Sequence, residues 1–430
     1  MEKNKKVLKA HSPHDETYGP LFIPDYCWPI IDTPEFQRLR HIRQLGCNFF
    51  VYSNATHTRF EHSLGCAHLA SLFMDHLMKE QPELKLKKEH FQAVVIAALC
   101  HDIGHGPYSH CFEEIANTFD RNWNHEDMSI KILNFIADKY KIDVSSDVIE
   151  AASCYIAGKV FEKYPKYLAE IVANHDNDID IDKLDYLVRD INRSLNISIF
   201  EFKRLIYHCR VVEDRLAWKI SEIQTIERMF FNRNNMHQKV YQHHTIQGID
   251  CMIRDMIKEA SDYNIDIGKA ISDVEQYCKL DDRIFTLILD GKCGPDAQAI
   301  AKRISERKLY KLVGELKMNP DNQDGITYSQ NPIKTIVKDI AEYGVPDKFL
   351  RIAKQSYRYG INKDKHPLLS IPFWKSESEN KVIMLTESEI SSIVPIHFKE
   401  IGMRVYVTDE QYIQQAKKAF DLWRTEKCYQ

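Results

Sequence analysis

No stretch of this 430-residue chain approaches the run of about eighteen apolar residues that a membrane-spanning helix needs. Nor does an apolar segment follow the lysines between Met1 and Lys9, which excludes a secretory signal. Cys-x-x-Cys pairs are missing. The eleven cysteines are scattered and odd in number, a usage that suits a compartment where thiols stay reduced. Charge of one sign is missing too: 58 lysines and arginines stand against 62 aspartates and glutamates, for a net charge of −4. That balance argues against a protein whose main task is coating nucleic acid. No repeat or low-complexity segment stands out. These absences leave a soluble intracellular protein, cytoplasmic or nuclear, with no membrane partner.

What is present is ordinary globular composition, 44% hydrophobic and 28% charged, at a length that suits a large core with a smaller lobe. A polar, mobile N-terminus is expected over residues 1–14, a core over 15–294 and a lobe over 295–430, with a change of texture at Gly291 to Pro295. Periodicity predicts helices from Pro34, from Arg59 through Leu77, over Phe91 to His101, Met128 to Tyr140, Ile149 to Asn174 and Lys183 to Asn192. Longer ones follow over Ile226 to Lys258 and Ile271 to Gly291, broken near Leu280, then Ala297 to Arg307 and Glu410 to Glu426. Strands are expected at Gly19 to Ile23, Val382 to Leu385 and Met403 to Val407, with a hairpin over Arg210 to Ile220. The fold class is mainly α: a helical core with a small β-hairpin and a smaller α/β C-terminal lobe.

The informative stretch is Ala97-Ala98-Leu99-Cys100-His101-Asp102-Ile103-Gly104-His105-Gly106-Pro107. An apolar run from Ala93 to Cys100 reads as a buried helix, and it delivers a His-Asp doublet to its inner end. A charge without a partner is costly there. Neutral imidazole and ionised carboxylate together suit one divalent cation. The two side chains point about 100° apart on a helix, so further ligands must come from elsewhere. Thr58-Arg59-Phe60-Glu61-His62-Ser63-Leu64-Gly65 upstream and Asp178-Ile179-Asp180-Ile181-Asp182-Lys183-Leu184-Asp185-Tyr186 downstream can supply them. The order His, His-Asp, Asp is the signature of the HD phosphohydrolase superfamily. Asp32-Thr33-Pro34-Glu35-Phe36-Gln37-Arg38-Leu39-Arg40, His57 to Gly65 and His101 to His110 narrow the match. With them the chain resembles the deoxynucleoside triphosphate (dNTP) triphosphohydrolases of the SAM-and-HD-domain type, from about Asp15 to the C-terminus and without the SAM module.

The metal ligands are assigned as His62, His101, Asp102 and Asp182, and Fe, Mn, Zn, Ni and Mg all fit such a set. Helical spacing then groups other residues. Arg59 shares a face with His62; Lys183, Tyr186 and Asp190 extend the face of Asp182; Arg233, His237 and Tyr241 repeat the same interval. Together these faces read as a nucleotide pocket. The resemblance implies roles at the matching positions. Arg59, Lys183 and Arg233 would hold the triphosphate, with additional Mg accompanying the nucleotide. Tyr186, Asp190 and Gln44 would approach the 3′-hydroxyl, Leu45 and Tyr241 the deoxyribose, and Gln242 the base. His110, Glu113 and His125 fall at catalytic positions, with His105 nearby; Asp is more usual where Glu113 stands. His125 is the candidate general acid, and His110 would position water or the α-phosphate.

The resemblance also implies a homo-oligomer, dimer or tetramer, with GTP and dNTP activators between subunits. Asp32, Gln37 and Arg40 stand where a guanine base is read. Arg204, Lys219, Arg307, Lys311 and Lys375 stand at or near positions that approach a second activator. His11-Ser12-Pro13-His14, Glu16-Thr17-Tyr18-Gly19 and Ser221 depart from the family's pattern, and all three departures bear on regulation. Two rival readings remain. One is an HD hydrolase of another nucleotide, such as a monophosphate. The other is a catalytically silent protein that binds single-stranded nucleic acid in an interface groove.

Overall fold

The computed structural model describes residues 12–197, 203–263, 265–318, 333–360, 365–376, 380–390 and 398–428. Of the N-terminus expected to be mobile, residues 1–11, His11 among them, lie outside that set. Helices of eight or more residues are α1 (Arg59–Glu80), α2 (Lys88–Cys100), α3 (His110–Phe119), α4 (His125–Tyr140), α5 (Ser146–Ile156) and α6 (Ile181–Leu195). They continue as α7 (Ile223–Met236), α8 (His244–Ser261), α9 (Pro295–Ser305), α10 (Ile333–Ala341) and α11 (Ile413–Cys428). The strands are β1 (His14–Asp15), β2 (Gly19–Pro20), β3 (Cys209–Val212), β4 (Arg215–Lys219), β5 (Lys311–Met318), β6 (Leu350–Arg358), β7 (Phe373–Trp374) and β8 (Lys399–Val407). The architecture is mainly α, as its patterning predicts.

The core forms around α2, whose apolar run from Ala93 to Cys100 is wholly buried. It packs against α1 on one side and α5 on the other, and α6 closes over α1. The turn after α2 is tied down from three sides. Arg38 donates to the Ile103 and His105 carbonyls (2.7 and 3.0 Å), Tyr277 donates to the Gly104 carbonyl (2.6 Å), and Ser129 Oγ donates to the His101 carbonyl (2.6 Å). A Cβ on Gly104 would stand 2.1 Å from the His125 carbonyl oxygen. Only glycine lets α4 start this close to the metal-type doublet.

The second core belongs to the C-terminal lobe. There β5, β8 and β6 pair antiparallel in that order, and α10 and α11 pack on them around Ile336, Ile340, Phe420 and Trp423. Gly314 lies under the Phe420 ring, where a Cβ would come within 2.1 Å. Helix α9 packs on α8, and its Ala297, Ala301 and Ile304 belong to the main core.

Several expected elements are redrawn. The helix from Pro34 is a single turn, Pro34–Gln37, followed by a 3₁₀ turn. The expected helix over Ile149 to Asn174 stops at Ile156, because Gly158 turns the chain at φ +64 and His175 Nε2 fills the space a Cβ would need. The one over Ile226 to Lys258 is interrupted by a π-helical turn, His237–Tyr241, and a non-helical Gln242-His243 step. Between Ile271 and Gly291 the chain breaks into the short helices Val274–Tyr277 and Ile284–Leu289. Asp273 caps the first, and Asp281 accepts from the Arg283 amide at 2.9 Å before the second. Val382 to Leu385 contributes one bridge, Ile383 to Phe373, and the strand expected over Gly19 to Ile23 pairs only at Gly19–Pro20. The hairpin is β3–β4, turning at Glu213 and Asp214 with φ +51 and +59.

Candidate active site

Four ligand-type side chains converge where α1, α2 and α6 meet. His62 Nε2 lies 3.2 Å from His101 Nε2, 3.1 Å from Asp182 Oδ1 and 3.3 Å from Asp102 Oδ2. His101 Nε2 is 3.5 Å from Asp102 Oδ1 and 3.5 Å from Asp182 Oδ1. The opposite ring nitrogens face outward. His62 Nδ1 meets Asp185 Oδ2 at 2.8 Å and His101 Nδ1 meets the Ala98 carbonyl at 2.8 Å, so both Nδ1 atoms carry the proton. Both Nε2 lone pairs then point inward, toward each other and toward carboxylate. Acceptors so arranged repel unless a positive charge sits between them, which is the condition a divalent cation satisfies.

Asp102 is held well below the usual carboxylate range despite burial, chiefly by Arg59. Cys66, one turn along α1, lies 3.7 Å from both nitrogens of His62. Equal distances put the sulfur over the ring face, away from the Nε2 lone pair, and burial pushes its thiol up to about 12. His62, Cys66, His101 and Asp182 form a group of ligand-type atoms, with Asp102 Oδ2 3.3 Å from His62 Nε2.

Behind it stands a support that sequence reasoning missed. Asp185 is clasped by Arg189 (2.8 and 2.9 Å), which also donates to Asp15 at 2.8 Å. A Cβ on Gly65 would lie 2.0 Å from Asp185 Oδ1, so the glycine makes room for this pair. The available signal was the spacing Asp182, Asp185, Arg189 on one helix.

On one flank Asp102 contacts His105 Nε2 at 3.3 Å, and His105 stacks under His125 with ring centroids 3.9 Å apart. His125 Nδ1 bonds Glu113 Oε2 at 2.9 Å. Burial opposes the charged form of Glu113, but His110 and His125 together pull its carboxyl down to about 2. Burial, Arg59 and His125 hold His105 well below the ordinary imidazole value, so it is neutral. His110 reaches outward with a side chain 76% exposed, 4.0 Å from Glu113. It begins α3 after Tyr108 and Ser109, both in positive φ at +61 and +55. That turn is braced by Asp282, which accepts from the Tyr108 amide at 2.7 Å, and by Ser109 Oγ, which accepts from Arg59 Nε at 2.9 Å.

On the other flank are the cations. Arg59 is buried against Asp102. Lys183 Nζ lies 2.8 Å from Asp180 and 3.3 Å from Asp178, and Arg233 Nη1 donates to Asp178 at 2.7 Å. Farther along, Tyr241 donates to Asp190 Oδ2 at 2.8 Å, and the other oxygen of Asp190 meets His57 Nε2 at 2.7 Å. His57 was not anticipated. Leu45 and Tyr241 both pack against Ile191, Met236 and Val240. His237 is neutral, drawn down to about 4 by burial, Arg233 and His110, and its buried Nδ1 has no partner among the described residues. Tyr186 lines the same wall, its hydroxyl pushed up to about 12 by burial.

These groups surround one cavity of about 910 Å³. Its walls carry Gln44, Leu45, Arg59, Lys183, Tyr186, Asp190, Arg233, His237, Tyr241 and Gln242 together with Asp102, Asp182, His105, His110 and His125. Arg233 reaches it from the last turn of α7, and His237 and Tyr241 from the π-helical turn that follows. The C-terminal lobe holds the break between α7 and α8: Arg404 donates to the Gln242 carbonyl and to Gln247 Oε1 (2.8 Å), and Tyr406 donates to the His244 carbonyl at 2.6 Å.

The residues assigned to activators are not brought together within one chain. Gln37 bonds the Ile31 carbonyl (2.8 Å) and receives Arg40 (2.7 Å) beside exposed Asp32. Arg204 pairs with Glu222 at 2.9 Å, Lys219 lies over the Trp374 ring next to exposed Lys375, and Arg307 and Lys311 engage the Phe50 carbonyl (3.0 Å) and Glu410 (3.3 Å). Among the described residues, no helix is long and apolar enough to cross a membrane.

Comparison with known proteins identifies the family. Residues 59–196 match the HD domain family and residues 200–356 match the HD associated region. The chain is 34% identical to the deoxynucleoside triphosphate triphosphohydrolase SAMHD1 homolog of Dictyostelium discoideum, covering 97% of this chain and 80% of that protein. It is 32% identical to human deoxynucleoside triphosphate triphosphohydrolase SAMHD1, over 97% and 74% of the two chains. A putative HD domain-containing protein, L394, of Acanthamoeba polyphaga mimivirus is 30% identical over 93% of each.

Proposed function

This chain belongs to the HD-domain family of SAMHD1-type dNTP triphosphohydrolases, and on that premise we propose that it converts a dNTP to the deoxynucleoside and intact inorganic triphosphate in a metal-dependent reaction. The observation that carries the reading is the order of groups along one cavity. Asp102 and Asp182 lie at its floor beside His62, His125 stands on one flank with Glu113 bonded to it, three cations on the other, and the Tyr241–Asp190 pair farther along.

His62, His101, Asp102 and Asp182 would hold a divalent metal, which supplies polarisation of a phosphoryl oxygen and acidification of a bound water. Arg59, Lys183 and Arg233 bind and orient the phosphates so that the α-phosphorus faces the His110–His125 flank. Water attacks the α-phosphorus, the bond to the 5′-oxygen breaks, and the triphosphate leaves with the water's oxygen. His125 delivers the proton to the departing 5′-oxygen. Glu113, ionised throughout the neutral range, stabilises the imidazolium that His125 must be before transfer. Neutral His105 beneath it adds no competing charge. Tyr241, fixed by Asp190, and Leu45 close on the sugar, so an added 2′-hydroxyl is excluded by fit.

Regulation belongs to the same proposal. The Asp32–Gln37–Arg40 patch offers a carboxylate, an amide and a guanidinium to a guanine nucleotide, and Arg204, Lys219, Lys375, Arg307 and Lys311 offer cations to a second nucleotide. Because they occupy separate surfaces of one chain, an activator that uses them together would sit between copies in a dimer or tetramer. Light scattering with and without GTP and dNTP tests assembly; a mass that never changes removes nucleotide-driven oligomerisation from the account.

Product analysis tests the reaction. With dGTP and a divalent metal, deoxyguanosine and triphosphate are expected, with GTP a poor substrate. Release of diphosphate or monophosphate would move the attack to another phosphorus and overturn the reading.

A further inference from the structure

Among the aspartates of the segment Asp176 to Asp182, Asp178 pairs with both Lys183 and Arg233, while Asp180 shares Lys183 at 2.8 Å. Its neighbours build the loop: Asn174 Oδ1 accepts from the Asp176 and Asn177 amides (3.1 and 3.2 Å), and Asn177 Oδ1 accepts from the Ile179 amide (3.0 Å). Asp180 caps α6 by accepting from the Lys183 amide at 3.1 Å, and its other oxygen accepts from the Asn174 amide at 3.1 Å. Asp178 has no such duty. Among the described residues, the polar partners of its carboxylate are Arg233 Nη1 at 2.7 Å and Lys183 Nζ at 3.3 Å.

The backbone presents that carboxylate deliberately. Asp178 sits at φ +65, a left-handed conformation that costs a non-glycine residue energy and that aspartate tolerates better than most. The Asn174 and Asn177 side chains lock the loop around it. Strain of this kind persists where the surrounding structure enforces it. Its side chain is mostly buried, so the charge acts on Lys183 and Arg233 through little solvent. Burial opposes ionisation, yet Lys183 and Arg233 hold its carboxyl below the usual value.

We propose that Asp178 is a built-in competitor for the phosphate site: its carboxylate occupies Lys183 and Arg233 in the free enzyme, is displaced by the substrate's phosphates, and reclaims both cations to expel the triphosphate product. This rests on the assignment of Lys183 and Arg233 to the phosphates. The physical case is one of balance. A site with unpaired buried cations would bind the highly charged product about as well as the substrate and release it slowly. An internal carboxylate weakens both complexes and leaves the discrimination to contacts the product lacks, those at the sugar.

The test is calorimetric binding of inorganic triphosphate to the metal-loaded full-length protein, in the wild type and in Asp178→Asn, Asp178→Gly, Arg233→Ala and Lys183→Ala. Asn keeps the volume and the left-handed tolerance while removing the charge; Gly removes strain and carboxylate together, so misfolding cannot explain agreement between them. Both Asp178 variants should bind triphosphate about tenfold more tightly or better, the scale of one close charge pair lost. In turnover they should show a lower KM and stronger product inhibition by triphosphate. Unchanged or weaker binding in the Asp178 variants, with binding lost in Arg233→Ala and Lys183→Ala, would overturn the competitor and leave the site intact. If neither Arg233→Ala nor Lys183→Ala weakened binding, the phosphate assignment itself would fall, and the competitor with it.

Discussion

The floor of the cavity and its cationic flank are opposites in electrostatic design. At the floor, two imidazole nitrogens and two carboxylates face one another, with Arg59 reaching Asp102 from the side, and their outward edges are fastened by Asp185, Arg189 and the Ala98 carbonyl. On the flank, every cation already faces a carboxylate: Arg59 with Asp102, Lys183 with Asp180 and Asp178, Arg233 with Asp178. One region gathers groups suited to a cation. The other is balanced alone and, on the proposed reading, would exchange a carboxylate for a phosphate. Their difference teaches that an acceptor cage can be rigid, whereas an anion site that turns over needs a replaceable partner.

The largest effect is expected at the floor. Replacing His101 and Asp102 together by alanine should remove the bound metal, measured by elemental analysis, and reduce hydrolysis to background. Metal retained at full occupancy would show that the cage is not the ligand set. Next comes His125→Ala, which should lower kcat by about 10²–10⁴ while metal content stays at the wild-type level. Turnover near wild type would remove His125 as the proton donor.

A smaller effect is expected behind the cage. Asp185→Asn keeps the shape but weakens the hold on His62 Nδ1, and metal affinity should fall about 10–100-fold in competition with a chelator. The smallest expected effect is at Glu113. Its carboxyl is pulled down to about 2, so it is charged throughout the neutral range and protonating it cannot cause an acid limb near neutrality. Glu113→Gln removes one charge-assisted hydrogen bond to His125 Nδ1 and should lower kcat by about tenfold with metal content unchanged. An unchanged kcat would separate Glu113 from proton delivery.

Much of the floor was legible from the chain. The apolar run into His101-Asp102 could only be a buried helix, and His62 and Asp182 followed from distinctive local words. The cations and aromatics on the faces of α6 and α7 were legible by helical spacing. What supports them was not. Asp185 and Arg189 are charged residues buried on a helix face, and no pattern of polarity distinguishes them from solvated ones. The break at Gln242 carries no proline or glycine; it exists because Arg404 and Tyr406, 162 residues away, satisfy the carbonyls it frees. The strands β5 and β6 escaped notice because their half-buried faces carry lysine, arginine and glutamine. Asp178 looked like one acidic residue among several, and only its backbone angle and its two partners set it apart.

The central claim is that water attacks the α-phosphorus and that the 5′-oxygen leaves with the nucleoside. Turnover of dGTP in water enriched in ¹⁸O tests it most directly, with both products read by mass spectrometry. The account predicts one ¹⁸O in the triphosphate and none in the deoxyguanosine. Label in the 5′-hydroxyl, or label spread over monophosphate or diphosphate products, would contradict it.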